Sequence, residues 1–243
     1  MCVSMQPSSP LIEARLVRRY KRFLADVRLE NGTMQTVHCP NTGAMFGCDS
    51  PGARVWLSIS SNDRRKYPLG WEIVESRPGV LVGIHAGLAN RLVHEALIDG
   101  RIGEIGTPVG IRTEVQMQNP RARVDFLLSL GEEMDNCLLE VKSVTAAGSD
   151  GVAFFPDAVS TRAVRHLDML ATRARQGMRA VLFYCVQRDD ISAVRAATEI
   201  HPEYGGALVA ASNAGVEILA YRCRVTAEEI TITSRVDVRL DVV

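Results

Sequence analysis

The stretch that most constrains the fold of this 243-residue chain is CLLEVKSVT, residues 137–145, because two charges lie inside an apolar run. The surrounding leucines and valines predict a strand within a protein core. Residues two apart on a strand point to the same face, so Glu140 and Lys142 project together while Val141 packs behind them. Burying a charge costs free energy unless the charge is paired or binds something. We therefore expect an ion pair or a functional site on this strand.

The segment RVDFLLSL predicts a neighbouring strand that carries a second carboxylate. If the polar loop between the two strands makes a simple hairpin, Leu130 faces Cys137 and Asp125 faces Lys142. Asp125 then shares a face with Glu140. In this register, two carboxylates and one ammonium group converge at one place.

Two converging carboxylates favour a hard divalent cation with oxygen ligands, such as Mg²⁺ or Mn²⁺. Asp125 and Glu140 are the candidate metal ligands, and Glu95, on the predicted helix NRLVHEAL, is the candidate third ligand. Such a cation polarises a phosphate and helps to generate hydroxide. Lys142 would hold the attacking water or offset the charge that grows on phosphorus. These four residues form a candidate catalytic site, and an ordinary ion pair is the alternative because short motifs are weakly specific.

The chain divides into two predicted domains after a loose tail at residues 1–10. Residues 11–84 contain several short alternating runs with glycine and proline between them, which predicts a small β-barrel with a hairpin at Asn31 and Gly32. Residues 85–243 alternate apolar strands with helical periodicity, which predicts an α/β domain whose sheet is covered by helices.

A basic segment, ARLVRRYKRF at residues 14–23, is the candidate nucleic-acid contact of the barrel. The formal net charge of the chain is +0, so any such contact must come from a local patch. Cations can meet phosphates while an aromatic ring stacks on a base; the alternative is a charged edge strand that prevents aggregation. The candidate residues are Arg15, Arg18, Arg19, Tyr20, Lys21 and Arg22.

Three further polar residues are candidate contacts to nucleic acid. Asn41 lies in the loop HCPNTGAM, which predicts a structural turn that can also line a groove. Arg162 and His166 are four residues apart on a predicted helix and share one face. Near a metal site both side chains can touch the scissile phosphate, and a solvated helix face is the alternative.

The six cysteines are scattered without a C-x-x-C pair, which argues against a zinc knuckle and favours reduced thiols. The first ten residues lack the pattern of a signal peptide, and no apolar run approaches the roughly 18 residues of a membrane span. We therefore expect a cytoplasmic protein with no membrane partner.

Longer strings carry a more specific signal. RYKRFLADV, HCPNTGAM, RKYPLGWE, ANRL, EVKSVT, FPDAV and GVEILAY together resemble the sugar fermentation stimulation protein A family of bacteria and archaea. The resemblance implies an OB-like barrel followed by an α/β domain similar to PD-(D/E)XK nucleases. It also implies DNA binding without marked sequence specificity, and the family name carries a regulatory role in maltose metabolism. Asp125, Glu140 and Lys142 match the nuclease-like core, and Glu95 matches its helix position.

Two functions stay open on the sequence. The first is a Mg²⁺- or Mn²⁺-dependent nuclease that acts on DNA or RNA, for which a homodimer is plausible because cutting two strands needs two sites. The second is a DNA-binding regulator of sugar metabolism that does not cut. A helix-turn-helix reader at residues 205–220 is disfavoured, because Gly215 leads into an alternating run that predicts a strand.

Overall fold

The computed structural model describes residues 10–118, 122–131 and 136–240. Its first part is a β-barrel in which neighbouring strands follow the order β3-β2-β1-β4-β5-β6. A parallel pairing of His38 in β3 with Gly70 in β5 closes the barrel around five strands. The strands are β1 Ile12–Tyr20, β2 Leu24–Leu29, β3 Met34–His38, β4 Arg54–Ile59, β5 Leu69–Arg77 and β6 Val80–Gly83.

The barrel forms because alternate residues of its strands fill one interior. Leu16, Val27, Val55 and Trp71 are buried there in one cluster. The predicted hairpin is confirmed: β2 and β3 pair in antiparallel fashion around a turn whose Gly32 has a φ of 83°. A positive φ is open to glycine without the steric cost that other residues meet.

The second part is an α/β domain built on a six-stranded mixed sheet of order β14-β13-β11-β9-β8-β7. In this sheet β9, β11 and β13 run parallel, and the outer pairings are antiparallel. A smaller parallel sheet has the order β10-β12-β15. The elements are α1 Leu88–Ile98, β7 Gly110–Met117, β8 Ala122–Ser129, β9 Asn136–Val144, β10 Val152–Phe155, α2 Thr161–Arg175, β11 Arg179–Val186, β12 Ala193–Ala196, α3 Pro202–Asn213, β13 Glu217–Val225, β14 Ile230–Arg235 and β15 Asp237–Arg239.

Helices cover both faces of the large sheet, as the sequence predicts. The buried residues of α1 join one apolar cluster, and those of α2 and α3 join another on the opposite face. Ser160 caps α2 by accepting a hydrogen bond from the Ala163 N–H at 3.2 Å, and Gly177 follows the end of the helix with a φ of 84°. The two-domain fold class, an OB-type barrel followed by a mixed-sheet α/β domain, is therefore confirmed.

Two details differ from expectation. The simple-hairpin register is wrong: Leu128, not Leu130, faces Cys137, and Phe126 faces Leu139. The register differs from the expected one by two residues. Because this is an even number, Asp125 still lies on the same face of the sheet as Glu140. The sequence also did not predict β7, β10, β12, β14 or β15, which are short, polar or at a sheet edge.

The region proposed for a DNA-reading helix contains α3 and then β13, an internal strand of the large sheet. Helix α3 lies between β12 and β13, so it is not joined to another helix by the short turn of a helix-turn-helix motif. The predicted loose tail, except for Pro10, lies outside the described residues. Within the described ranges, every helix is too short or too polar to cross a membrane.

The two domains contact each other directly. The Gly83 N–H donates to the Gln187 carbonyl at 2.9 Å, and the Met45 N–H donates to Asp157 Oδ2 at 3.0 Å. A Cβ at Gly43 would lie 2.2 Å from the Asp157 carboxylate, so a larger residue here would displace that side chain. These contacts place the barrel loop at residues 39–46 beside the segment that joins β10 to α2.

Candidate active site at the end of the β8–β9 ladder

The site begins where two paired strands separate. The β8–β9 ladder stops at Phe126 and Leu139, which leaves the next N–H of β9 without a strand partner. Asp125 supplies one: its Oδ2 accepts the Val141 N–H at 2.8 Å. Its Oδ1 accepts a hydrogen bond from Asn90 Nδ2, on α1, at 2.9 Å. The carboxylate of Asp125 is therefore held by both the sheet and the first helix.

Glu140 is the most buried carboxylate of the site, with 2% of its surface exposed. Its Oε1 accepts from Lys142 Nζ at 2.6 Å and from His166 Nδ1 at a shorter distance. Its Oε2 is buried and has no hydrogen-bond partner among the described residues. A buried carboxylate oxygen without a partner is costly, so it indicates a position where a ligand would be stabilised.

The hydrogen bonds assign one tautomer to His166. Arg162 Nε donates to His166 Nε2 at 3.3 Å, so Nδ1 carries the proton and donates to Glu140. Lys142 Nζ also approaches Nδ1 at 3.4 Å, but both atoms are then donors and that approach is not a hydrogen bond. His166 thus orients the Glu140 carboxylate and does not accept a hydrogen bond from Lys142.

The two carboxyl groups have different electrostatic surroundings. Burial raises the pKa of Asp125, and the neighbouring Glu140 charge raises it further against the opposing hydrogen bonds. Burial alone would raise the pKa of Glu140 too, but the His166 hydrogen bond and the Lys142 charge outweigh it and lower that pKa. Glu140 is therefore the more firmly ionised of the two.

The residues present fit a divalent cation of the magnesium type. Within the described residues, no group of three or more His, Cys, Asp or Glu side chains is placed to hold a metal ion. Mg²⁺ usually binds one or two protein carboxylates and keeps several waters. Asp125, Glu140 and the partnerless Glu140 Oε2 are suited to that mode of binding.

Glu95 is not joined to this pair. It lines the same groove as Asp125, and burial raises its pKa against the charges of Arg91 and Arg101. The charges that act most on it are those of Arg91, Arg101, Asp99 and His94. Instead Asn90, from the same helix, contacts Asp125; the sequence offered no signal for it, because an amide has no distinctive pattern in an amphipathic helix.

Three grooves border the site. A cleft of about 370 Å³ lies between the barrel loop and the α/β domain, and Lys142 lines it. A second groove, along α1, contains Asp125, and a third, along α2, contains His166. Lys142, Asp125 and His166 therefore each border a groove, whereas the buried Glu140 lines none of the three.

Comparisons with known proteins agree with this architecture. The profile of the SfsA N-terminal OB domain matches residues 17–84, and that of the sugar fermentation stimulation protein RE domain matches residues 87–229. The chain belongs to the sugar fermentation stimulation protein family. A homologue from Alkalilimnicola ehrlichii is 51% identical over 95% of this chain and 97% of its own length. A homologue from Thioalkalivibrio sulfidiphilus is 50% identical over 97% of this chain and 98% of its own length.

A solved structure of the Pyrococcus furiosus family protein, in complex with Ca²⁺, shares the fold. Its TM-score is 0.86 at 23% identity, over 98% of this chain and 99% of the other. The similarity extends through both domains, so the barrel and the α/β domain form one shared arrangement.

In this family member Arg15, Arg18, Arg19 and Tyr20 of the basic segment form hydrogen bonds with other barrel residues, although Arg15 and Arg18 stay exposed. Arg18 Nε pairs with Asp26 at 2.9 Å, and Tyr20 Oη donates to the same carboxylate at 3.0 Å. Arg19 donates to the carbonyls of Arg22, Asn41 and Gly43 at 2.7–2.9 Å, with only 9% of its side chain exposed. Arg15 donates to the Gly52 carbonyl at 3.2 Å. Lys21 and Arg22 are exposed at the turn after β1, with φ values of 51° and 65°.

The remaining candidates lie around the site. Asn41 lines the interdomain cleft, but its side chain is bonded to the Ile84 carbonyl at 3.0 Å and to the Gly43 N–H at 2.9 Å. Arg162 is exposed and next to His166 in the α2 groove. His166 is buried against Glu140 and so supports the site from behind.

Proposed function

We propose that this protein binds DNA and hydrolyses phosphodiester bonds with the help of a divalent cation held by Asp125 and Glu140. The observation that carries the proposal is the buried, partnerless Oε2 of Glu140 in a site that also holds Asp125 and Lys142. The complex of the Pyrococcus furiosus relative with Ca²⁺ supports a family capacity for hard cations. The family resemblance supports DNA, with RNA as a further substrate to test.

The residues of the site have separate roles in this proposal. Asn90 and the Val141 N–H fix the Asp125 carboxylate, and His166 fixes that of Glu140. Lys142 keeps donors beside Glu140 that can orient a water or offset charge on a phosphoryl oxygen. A bound Mg²⁺ or Mn²⁺ would supply polarisation of the phosphate and a lowered pKa of its water.

A cleavage assay tests the proposal. Purified protein is incubated with labelled single-stranded DNA, duplex DNA and RNA, in EDTA, Mg²⁺ or Mn²⁺. We expect metal-dependent cutting by the wild type and at least a 100-fold loss in Lys142→Ala, given that one electrostatic donor is worth about 10²–10³ in rate. Lys66→Ala, a lysine of the barrel loop after β4, is the matched control and should cut normally.

A second function, DNA binding in the regulation of sugar metabolism without cutting, is favoured by one observation. Glu140 Oε1 is already occupied by Lys142 and His166, which offsets the buried charge without a cation. Thermal shifts separate the two: Mg²⁺ should raise the melting temperature of the wild type but not of Asp125→Asn if the carboxylates bind the cation. Equal shifts in both proteins, with DNA bound and never cut, would favour the regulator.

A further inference from the structure

The arginines of this protein fall into two groups. Among the described residues, eleven form ion pairs within their own domain or across the domain contact. Others, such as Arg15 and Arg222, donate to main-chain carbonyls instead. The paired group comprises Arg18, Arg19, Arg54, Arg77, Arg101, Arg123, Arg179, Arg188, Arg195, Arg224 and Arg235.

Each of the three grooves around the site carries an exposed arginine that forms no ion pair within the described part of the chain; the α2 groove also holds Arg162, which donates to His166. Arg22 lines the interdomain cleft with Lys142, Arg91 lines the α1 groove with Asp125, and Arg165 lines the α2 groove with His166. With the described residues, these three side chains form neither an ion pair nor a hydrogen bond. Arg91 lies one helical turn before Glu95 and lowers the pKa of that carboxyl without contacting it.

The grooves meet at the site itself. Asp125 is bonded to the main chain of Val141, which lines the cleft. His166, from the α2 groove, is bonded to Glu140. Each of the three arginines therefore lines a groove that borders the site. Guanidinium groups without carboxylate partners are suited to phosphate oxygens.

Exposed aromatic rings stand at the barrel side of the cleft. Phe23, next to Arg22, is 47% exposed, and so is Phe46. The Phe46 ring lies 6.1 Å from that of Phe154, which lines the cleft. Unpaired bases can stack on such rings, whereas bases inside a duplex are already stacked and paired.

We propose that a single strand of nucleic acid lies across these grooves, with its phosphates at Arg22, Arg91 and Arg165 and its bases against Phe23 and Phe46. The proposal rests on the proposed function only for the point at which the strand crosses the site. The binding surface then lies at the rim of the site and not on β1, whose arginines are hydrogen-bonded to other barrel residues.

Binding measured in EDTA tests the track without any cleavage. The probe is a fluorescent 20-nucleotide single-stranded DNA titrated across a range of salt concentrations. Each contact to a phosphate of a single strand contributes about 0.7 to the slope of log affinity against log salt. Arg22→Ala, Arg91→Ala and Arg165→Ala should each lower the slope by about that amount, and the triple variant by about 2.

Two matched controls remove the same charge elsewhere. Arg28 is exposed at the far end of β2 from Arg22, and Arg175 is exposed in the last turn of α2, about 15 Å along the helix from Arg165. Arg28→Ala and Arg175→Ala should leave the slope unchanged. Slopes that fall equally in controls and track variants would show a diffuse charge effect and overturn the proposal.

Binding by phenylalanine variants tests the proposed stacking of bases on Phe23 and Phe46. Phe23→Ala and Phe46→Ala should each weaken single-strand binding about fivefold or more, while Met34→Ala, exposed near the opposite end of the barrel strands, should not. A duplex of the same sequence should bind more weakly than the single strand and ignore both phenylalanine changes. Tighter duplex binding would overturn the single-strand assignment.

The outcomes separate this inference from the proposed function. If the arginine variants lose binding but no substrate is ever cut, the track stands and the nuclease proposal fails. If the wild type cuts DNA while the variants bind and cut normally, the nuclease proposal stands and the track fails.

Discussion

At the scale of single residues, the site depends on neutral groups that hold charged ones. Asp125 accepts one hydrogen bond from the main chain of β9 and one from Asn90. Burial and the Glu140 charge both raise the pKa of Asp125, and each of these two hydrogen bonds lowers it by stabilising the ionised form. Asn90 is therefore a positioning residue, because it acts through Asp125.

We expect Asn90→Ala to lower the free energy of unfolding by about 1–2 kcal/mol, because a buried acceptor loses its donor. Urea unfolding with an unchanged m-value would measure this. Asn213→Ala, at the exposed end of α3, is the control and should change stability by less than about 0.5 kcal/mol. If both variants unfold alike, Asn90 does not support the Asp125 carboxylate.

The sequence predicts some residues of the site and not others for a physical reason. Glu140 and Lys142 stand out because charges within an apolar run are costly, and Asp125 follows from the adjacent strand. The bond from His166 to Glu140, and that from Asn90 to Asp125, depend on where two helices dock on the sheet. Docking is decided by packing across the whole domain, which no local pattern contains.

At the scale of elements, the helices were easier to predict than the strand register. Ser160 and Gly177 mark the ends of α2 in the sequence, and the structure uses them as cap and stop. β8 and β9 pair in antiparallel fashion as expected, but their register differs by two residues, because the sequence does not fix where the connecting loop begins. β10 and β12 have only four residues each, too few for a periodic signal.

Helix α3 contains two adjacent glycines, of which only one has space for a larger side chain. A Cβ at Gly205 would lie 2.3 Å from Thr198 Cγ2, whereas one at Gly206 would meet no atom within 4 Å. Gly206→Ala should raise the free energy of unfolding by about 0.5–1 kcal/mol through helix propensity. Gly205→Ala should lower it by about 1–3 kcal/mol through overpacking. Thermal unfolding of the two variants side by side measures this, and shifts of the same sign would contradict it.

At the scale of the whole molecule, the proposed function requires the barrel and the α/β domain to keep a fixed relation, since the interdomain cleft takes residues from both. An arginine cluster contributes to this. Arg77, at the end of β5, pairs with Asp190 at 2.7 Å, and Arg188 donates to both oxygens of the same carboxylate at 2.6 and 2.8 Å. Arg188 is buried and also donates to the Thr145 carbonyl at 2.9 Å.

The pH dependence of stability should report on this cluster. Burial would raise the pKa of Asp190, but the Arg188 hydrogen bonds and the Arg77 charge outweigh it, so the pKa is lowered on folding. A lowered pKa contributes stability that is present above the ordinary aspartate pKa and is lost as pH falls through the folded-state value. Asp190→Asn, which leaves the buried Arg188 without its carboxylate, should cost roughly 3 kcal/mol at neutral pH, and the gap from wild type should close in acid.

Glu199→Gln provides the contrast for that experiment. Glu199 pairs with Arg195 within the α/β domain, is 53% exposed and also has a lowered pKa. An exposed pair is worth less than about 1 kcal/mol, so this variant should stay close to wild type at every pH. Denaturant unfolding from neutral to acidic pH would measure both. A gap for Asp190→Asn that is constant with pH would mean that the ion pairs at Asp190 do not stabilise the contact between the two domains.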